Sequence, residues 1–439
     1  MDHSVHPVSR RGLLAGAAAL GSLSACRAGA VPAGDQASSQ DLRARQDECL
    51  DGAGKLTDQS GRVEPIDGAL RALRRARTGA LLSAAGLQAL LCEPGPTMTW
   101  LSGVSWHASE RAFLLLVFAD GSHAWVVPAF EAAKARLLIE GPGHPGGPIL
   151  TWDEHEYAFV PLAALLAERR VERAAVEPQM RWFIAEGLGA EFGAQKLESG
   201  AALTRELRSV KEPQELAILR LANELTKQAL VHVSKVARAG MTSGEIAGLV
   251  NRAQERLGLR SPWNLTLVGA AAAYPHGETS KQVLGPDDLL LVDTGGTLHD
   301  YQSDITRTWV VEGRGREREL CAWHAVRAAQ REAFEAIRPG VPCRDVDRAA
   351  RASLARAGYG EGYAALTHRL GHGIGLEGHE APYFDGGSTT LLARGMTLSN
   401  EPGIYVLGDY GVRIEDIVLV TDTGADVFGP WQSGPNSPA

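Results

Sequence analysis

Asp293, Asp304, His372, Glu401 and Glu415 place four carboxylates and one imidazole in the C-terminal half of a 439-residue chain. Four of them lie in apolar or Gly-rich surroundings. Asp293 ends the run Leu289-Leu290-Leu291-Val292, and Glu415 follows Gly411-Val412-Arg413-Ile414 shortly before Ile417-Val418-Leu419-Val420. An ionised carboxylate in such a place must be paired, protonated or bound to a metal. Several acids converging with a histidine favour the metal. An oxygen-rich set with one nitrogen suits Mn, Fe(II), Co or Mg better than a thiolate-preferring structural zinc site.

The elements that must hold these side chains are readable in outline. Residues 289–311 read as two strands joined by a polar turn around 297–300. Pairing about a turn centred near Leu298-His299 sets Asp293 opposite Asp304, so that both point to one face of the sheet. Two facing carboxylates repel each other unless a cation lies between them. The same residues permit another arrangement, in which Asp304 caps the turn and Asp293 pairs with Arg307. Upstream, residues 212–238 predict a long amphipathic helix with Pro213 in its first turn and Gly240 closing it. Thr242-Ser243-Gly244-Glu245 then reads as a capping box. A strand over 263–268 follows. Helices near 316–337 and 343–357 precede the strands that carry the remaining ligands. Residues 67–195 alternate helical stretches with strands such as Ala112-Phe113-Leu114-Leu115-Leu116-Val117-Phe118, an α/β pattern. After about 425 the Gly, Ser and Pro-rich tail reads as loose.

The blocks VDTGG…SDITRT, HRLGHGIGLEGHE, NEPGIY and GVRIED occur in that order between about 200 and 425. Together they resemble the pita-bread-fold metallopeptidases, which include methionine aminopeptidase, aminopeptidase P and Xaa-Pro dipeptidase (prolidase). The stretch from Gly86-Leu87-Gln88-Ala89-Leu90-Leu91 through Trp100-Leu101-Ser102-Gly103 to Ala124-Trp125-Val126-Val127-Pro128 is similar to the smaller N-terminal domain of the creatinase, prolidase and aminopeptidase P branch. Methionine aminopeptidases lack that domain. The implied fold is therefore α/β (α+β): an N-terminal creatinase/prolidase-type domain over 67–198 and a pita-bread catalytic domain over 199–428, with a tail at 429–439. Helices followed by strands, twice over, fit the two αββ halves of such a domain.

The resemblance also implies roles. Asp304 and Glu415 would bridge two divalent metals, Mn first, with Co, Fe or Zn as substitutes. Asp293 would complete one metal's shell, and His372 with Glu401 the other's. A hydroxide bridging the metals would attack the peptide, with Glu401 as general base. His276, 17 residues before Asp293, takes the place of a substrate-binding histidine. His379, seven after His372, would stabilise the oxyanion, and His368, four before it, would help to hold substrate. Arg413 would orient the bridging carboxylate or meet the substrate's own carboxylate. The substrate implied is a proline-containing di- or oligopeptide, cleaved at the Xaa-Pro bond. The resembling family forms dimers and tetramers, so a homodimer or higher homo-oligomer is expected. Where that family more often has a threonine and an apolar residue before Glu401, this chain has Ser399-Asn400. Fold alone does not determine chemistry, so a lyase or small-amide hydrolase on the same scaffold is the alternative. Creatinase-type enzymes have lost the ligands that are intact here.

Composition agrees with an ordinary globular protein, and a formal charge of −8 gives no electrostatic reason to expect nucleic acid. The N-terminus differs from the rest. Ser9-Arg10-Arg11-Gly12-Leu13-Leu14 opens an Ala/Gly-rich apolar stretch that ends in Leu23-Ser24-Ala25-Cys26. This resembles a twin-arginine export signal over 1–25 with a lipobox. Cleavage before Cys26 would leave a thiol for a lipid anchor at the bacterial cell envelope, followed by a tether over 26–66. Cys49, Cys92, Cys321 and Cys343 show no metal-ligand spacing and read as unpaired thiols.

Overall fold

The computed structural model describes residues 39–364 and 366–439. The twin-arginine stretch and Cys26 lie outside the described residues. Apolar runs make the first sheet. Strands β1 (Ala89–Cys92), β2 (Leu114–Phe118), β3 (His123–Pro128), β4 (Ile149–Trp152), β5 (Ala174–Val176) and β6 (Leu197–Ser199) pair in the order β4-β3-β2-β1-β5-β6. β1 and β2 are buried along their whole length. Such unbroken apolar runs belong to strands covered on both faces, and separate apolar clusters do pack on the two sides of this sheet.

The C-terminal part repeats one order of elements. Helices Pro213–Val233 and Ser243–Leu257 precede β7 (Arg260–Val268), β8 (Leu289–Leu298), β9 (Tyr301–Gln302) and β10 (Ile305–Val310). Helices Glu317–Ala336 and Cys343–Arg356 then precede β11 (Gly371–Gly373), β12 (Glu380–Phe384), β13 (Thr397–Asn400), β14 (Gly403–Val406), β15 (Tyr410–Arg413), β16 (Asp416–Val420) and β17 (Ala425–Val427). The sheets are β10-β8-β7, β12-β11-β13-β16-β17 and the pair β14-β15. This mixed α/β arrangement is the expected pita-bread domain preceded by a creatinase-like one.

Local signals set the helix starts. Pro213 lies in the first turn behind a Glu212/Glu215 capping box, and Thr242 with Glu245 caps the next helix. The first helix is shorter than expected. It stops at Val233, and Gly240, at φ 91°, belongs to the turn that leads into Thr242.

Three expectations need correction. The first concerns the hairpin. Its turn is the two-residue His299-Asp300, at φ 46° and 73°, with Leu298 paired to Tyr301 and Thr297 to Gln302. Positive φ at both positions matches the twist of the flanking strands, and His and Asp tolerate it better than most side chains. The register therefore sets Thr306, not Asp304, opposite Asp293. Asp304 sits between β9 and β10 and reaches the site from there. Gly295 permits this, because a Cβ there would lie 1.8 Å from the Ser303 carbonyl oxygen.

The second is the tether. From residue 43 onward it packs against the C-terminal helices. Arg252 donates to both Asp47 oxygens at 2.9 and 2.8 Å, and Leu50, Leu56 and Ile66 are buried in the core. Those widely spaced apolar anchors are masked by the polar composition around them. The third is the tail, which is not loose. Phe428 is buried, the Gln432 amide donates to the Thr308 carbonyl at 2.9 Å, and Val310 N–H donates to the Pro435 carbonyl at 2.7 Å. Backbone carbonyls hold the tail, so no side-chain periodicity announces it. Cys49, Cys92, Cys321 and Cys343 are free thiols, as expected.

Candidate metal centre

The five residues converge from five places: Asp293 on β8, Asp304 before β10, His372 on β11, Glu401 after β13, and Glu415 between β15 and β16. Ligand atoms of Asp293, Asp304 and Glu415 lie within 4.8 Å of one another, as do those of His372, Glu401 and Glu415. His372 Nε2 stands 3.3 Å from Glu401 Oε1, 3.7 Å from Asp304 Oδ2 and 4.0 Å from Glu415 Oε1. Its Nδ1 lies 3.1 Å from the Gly373 carbonyl, which puts a proton on Nδ1 and aims Nε2 at the carboxylates, where it donates to Glu401 when the ring is charged and is available to a metal when it is neutral.

The electrostatics are those of an uncompensated cluster. Burial, then Glu415 and Asp293, push the Asp304 carboxyl well above the ordinary range. Burial, then Glu401 and Asp293, do the same to Glu415. Burial also opposes ionisation of Glu401, but the hydrogen bond and charge of His372, with His368 and Arg413, outweigh it and bring the pKa to about 2. Glu415 Oε1 is buried and has no hydrogen-bond partner. Its Oε2 has only the Thr306 hydroxyl, at 2.8 Å, and that hydroxyl also lies 2.9 Å from Asp293 Oδ1. An orphaned buried carboxylate oxygen among other acids is what a divalent cation would satisfy. The donor set fits such a group.

The flanking residues meet expectation unevenly. Arg413 Nη2 donates to Asp293 Oδ2 at 2.7 Å rather than to Glu415, and its Nε donates to the Thr306 hydroxyl at 3.1 Å. Arg413 thus braces Asp293. His379 stacks on His372 with ring centroids 3.7 Å apart, and lies within ligand distance of Asp304 and His372. Desolvation, then His372, lowers its pKa, which keeps the ring neutral and able to donate. His368 Nε2 meets the Tyr405 hydroxyl at 2.8 Å. His276 is exposed on the wall of a cavity of about 600 Å³ that also holds all five cluster residues. Tyr301 is a core aromatic whose hydroxyl donates to Glu215.

Sequence reasoning passed over Thr306 and Tyr405, and noted Ser399 only as a departure from the family pattern. Thr306 tethers Asp293 and Glu415, and Tyr405 receives an Arg413 N–H at 3.0 Å while meeting His368. Ser399 accepts from His372 N–H at 3.0 Å and donates to Glu401 Oε1 at 3.1 Å. Its hydroxyl therefore joins two candidate ligands. Thr306 and Tyr405 lie inside the motif blocks, but their roles depend on partners distant in the chain.

Comparison with known proteins agrees with this geometry. Residues 217–422 match metallopeptidase family M24, and residues 74–210 match the creatinase/prolidase N-terminal domain. A Mycobacterium tuberculosis protein named "Probable dipeptidase PepE" is 35% identical over 366 residues, covering 82% of this chain and 94% of the relative. An Xaa-Pro dipeptidase of Pyrococcus horikoshii is 30% identical, covering 77% of this chain and 92% of its own length. The crystal structure of dipeptidase PepE from Mycobacterium ulcerans superposes with a TM-score of 0.77 at 32% identity, covering 84% of this chain and 97% of that one. With its acid and histidine cluster inside the matched region and about four-fifths of its length shared with these peptidases, the chain belongs to metallopeptidase family M24.

Proposed function

We propose that this metallopeptidase hydrolyses the Xaa-Pro bond of small peptides with two divalent metals, Mn foremost. The observation that carries the reading is the convergence of Asp293, Asp304, His372, Glu401 and Glu415 around a buried oxygen that no protein group satisfies. Relatives named dipeptidase and Xaa-Pro dipeptidase support the substrate class. Asp293, Asp304, His372, Glu401 and Glu415 would hold the metals. When bound, the metals supply Lewis-acid polarisation of the scissile carbonyl and a water of lowered pKa.

This chain's residues do the rest. Glu401 takes the proton of the attacking water and passes it to the departing proline nitrogen. Neutral His379 donates to the oxygen that becomes negative in the tetrahedral intermediate. His276 and His368 hold the substrate from the cavity wall. Arg413 holds Asp293 in place. Proline's nitrogen carries no hydrogen and its ring restricts the backbone, so a dedicated pocket is needed for this bond. The twin-arginine stretch and Cys26 support export and lipid anchoring as part of the same proposal, and a homo-oligomer is its expected assembly.

The test strips the purified protein with a chelator, restores Mn, and follows Ala-Pro, Ala-Pro-Ala and Ala-Ala in parallel. Mn-dependent cleavage of a proline peptide but not of Ala-Ala is expected. A metal-loaded protein that cleaves none of them refutes the reading.

A further inference from the structure

A peptide ending just after the scissile bond brings a free carboxylate into the cavity, and that charge needs a cation. The cavity wall offers two guanidinium groups, Arg413 and Arg369. Arg413 is already committed. Its N–H groups go to Asp293, Thr306, Tyr405 and the Pro275 carbonyl, at 2.7 to 3.2 Å. Beyond this cavity, Arg208 and Lys211 are bound by Glu377 and Glu380.

Arg369 differs from all of these. It is exposed, and among the described residues its guanidinium meets no carboxylate. It lies instead over the Tyr383 ring, 4.3 Å from the centroid. Tyr383 is the cross-strand partner of His372, so this stack stands beside a candidate metal ligand. Stacking orients the guanidinium plane while leaving its edge N–H groups free, the geometry for a bidentate carboxylate.

We propose that Arg369 anchors the free C-terminal carboxylate of the substrate, which makes the enzyme a dipeptidase rather than a trimmer of longer peptides. This rests on the reading of the cavity as a peptide site. The specificity resides in a residue between His368 and His372, while Arg413 serves the metal centre.

The experiment compares Ala-Pro with Ala-Pro amide on the full-length metal-loaded enzyme, as wild type, Arg369→Gln and Arg369→Lys. Wild type should prefer the free acid. Arg369→Gln should lose about 10- to 100-fold in kcat/KM on the acid, chiefly through KM, and less than about 3-fold on the amide. Arg369→Lys should fall between. Equal losses on both substrates, or an unchanged preference for the acid, would overturn the assignment. If Ala-Leu is cleaved better than Ala-Pro, the proline reading fails, and Ala-Leu with its amide tests Arg369 in the same way. Calorimetric titration of the metal-stripped chain with Ala-Pro and its amide supplies a readout independent of turnover. An Arg369-dependent preference for the acid is expected there, and the same preference in Arg369→Gln would refute the role.

Discussion

Glu415 and Asp416 are neighbours in the chain, both at most 2% exposed, and their environments are opposite. Asp416 accepts from Arg307 at 2.7 Å and Gln330 at 3.1 Å, with Lys227 Nζ at 2.6 Å. Burial alone would raise its pKa, yet Arg307 and Lys227 bring it below the ordinary value. Glu415 points the other way along the strand, towards three more acids. Its pKa rises far, and one oxygen has no partner at all. Glu415 stands just before β16 and Asp416 opens it, so a single peptide step separates a completed ion-pair network from a cluster in which acids outnumber the protein's own cations. The lesson is that burial of an acid does not identify a metal ligand. The missing countercharge does.

Substitution breaks the comparison most sharply. Glu415→Gln should reduce kcat/KM for Ala-Pro by about 10³- to 10⁴-fold, the several kcal/mol expected of a lost metal. In the metal-free protein the same change should cost no stability in urea, because it removes a repelled charge. Asp416→Asn should do the reverse and destabilise both metal-free and loaded protein by about 3–5 kcal/mol, since Arg307 and Lys227 would be left buried without their carboxylate. Equal destabilisation by the two variants would refute the contrast.

Acidity offers a second probe. The raised folded pKa values of Asp304 and Glu415 mean that their contribution to stability is fully present below the unfolded values of 3.8 and 4.5. It is lost as pH rises through the folded values. Asp416 and Glu380 are lowered, Asp416 by Arg307 and Lys227 and Glu380 by Lys211 and Arg208, in each case against the effect of burial. Their contribution is present above the unfolded values and fades as pH falls through the folded ones. Chelator-treated protein should therefore lose stability in urea as pH rises above about 4. Saturating Mn should abolish that slope, and an identical slope with and without metal would count against the site.

The smallest effect sharpens the role of Arg413. Tyr405→Phe removes one hydrogen bond to that guanidinium and one to His368, a loss of about 1–2 kcal/mol. An approximately 10-fold lower kcat/KM with unchanged metal content is expected. Metal loss instead would show that Tyr405 acts through Asp293.

The sequence by itself pointed to the acid and histidine cluster, the capped helix starts and the order of strands. Each of these rests on local rules: the cost of an acid in an apolar run, a capping box, a proline at a first turn. Tertiary structure decided what pairs with what. Thr306 rather than Asp304 faces Asp293 because the turn, His299-Asp300 with two positive φ values, is centred one residue later than expected, which moves every cross-strand partner by two. Asp293 binds Arg413, leaving Arg307 for Asp416, because Arg307 and Asp293 project to opposite sides of their hairpin. Residues 43–66 and the tail after 425 are held by isolated apolar anchors and backbone carbonyls, which carry no periodic signal. A charged side chain is legible as a type, but its partner, and hence whether it is spent or free, is a property of neighbours that folding alone brings together.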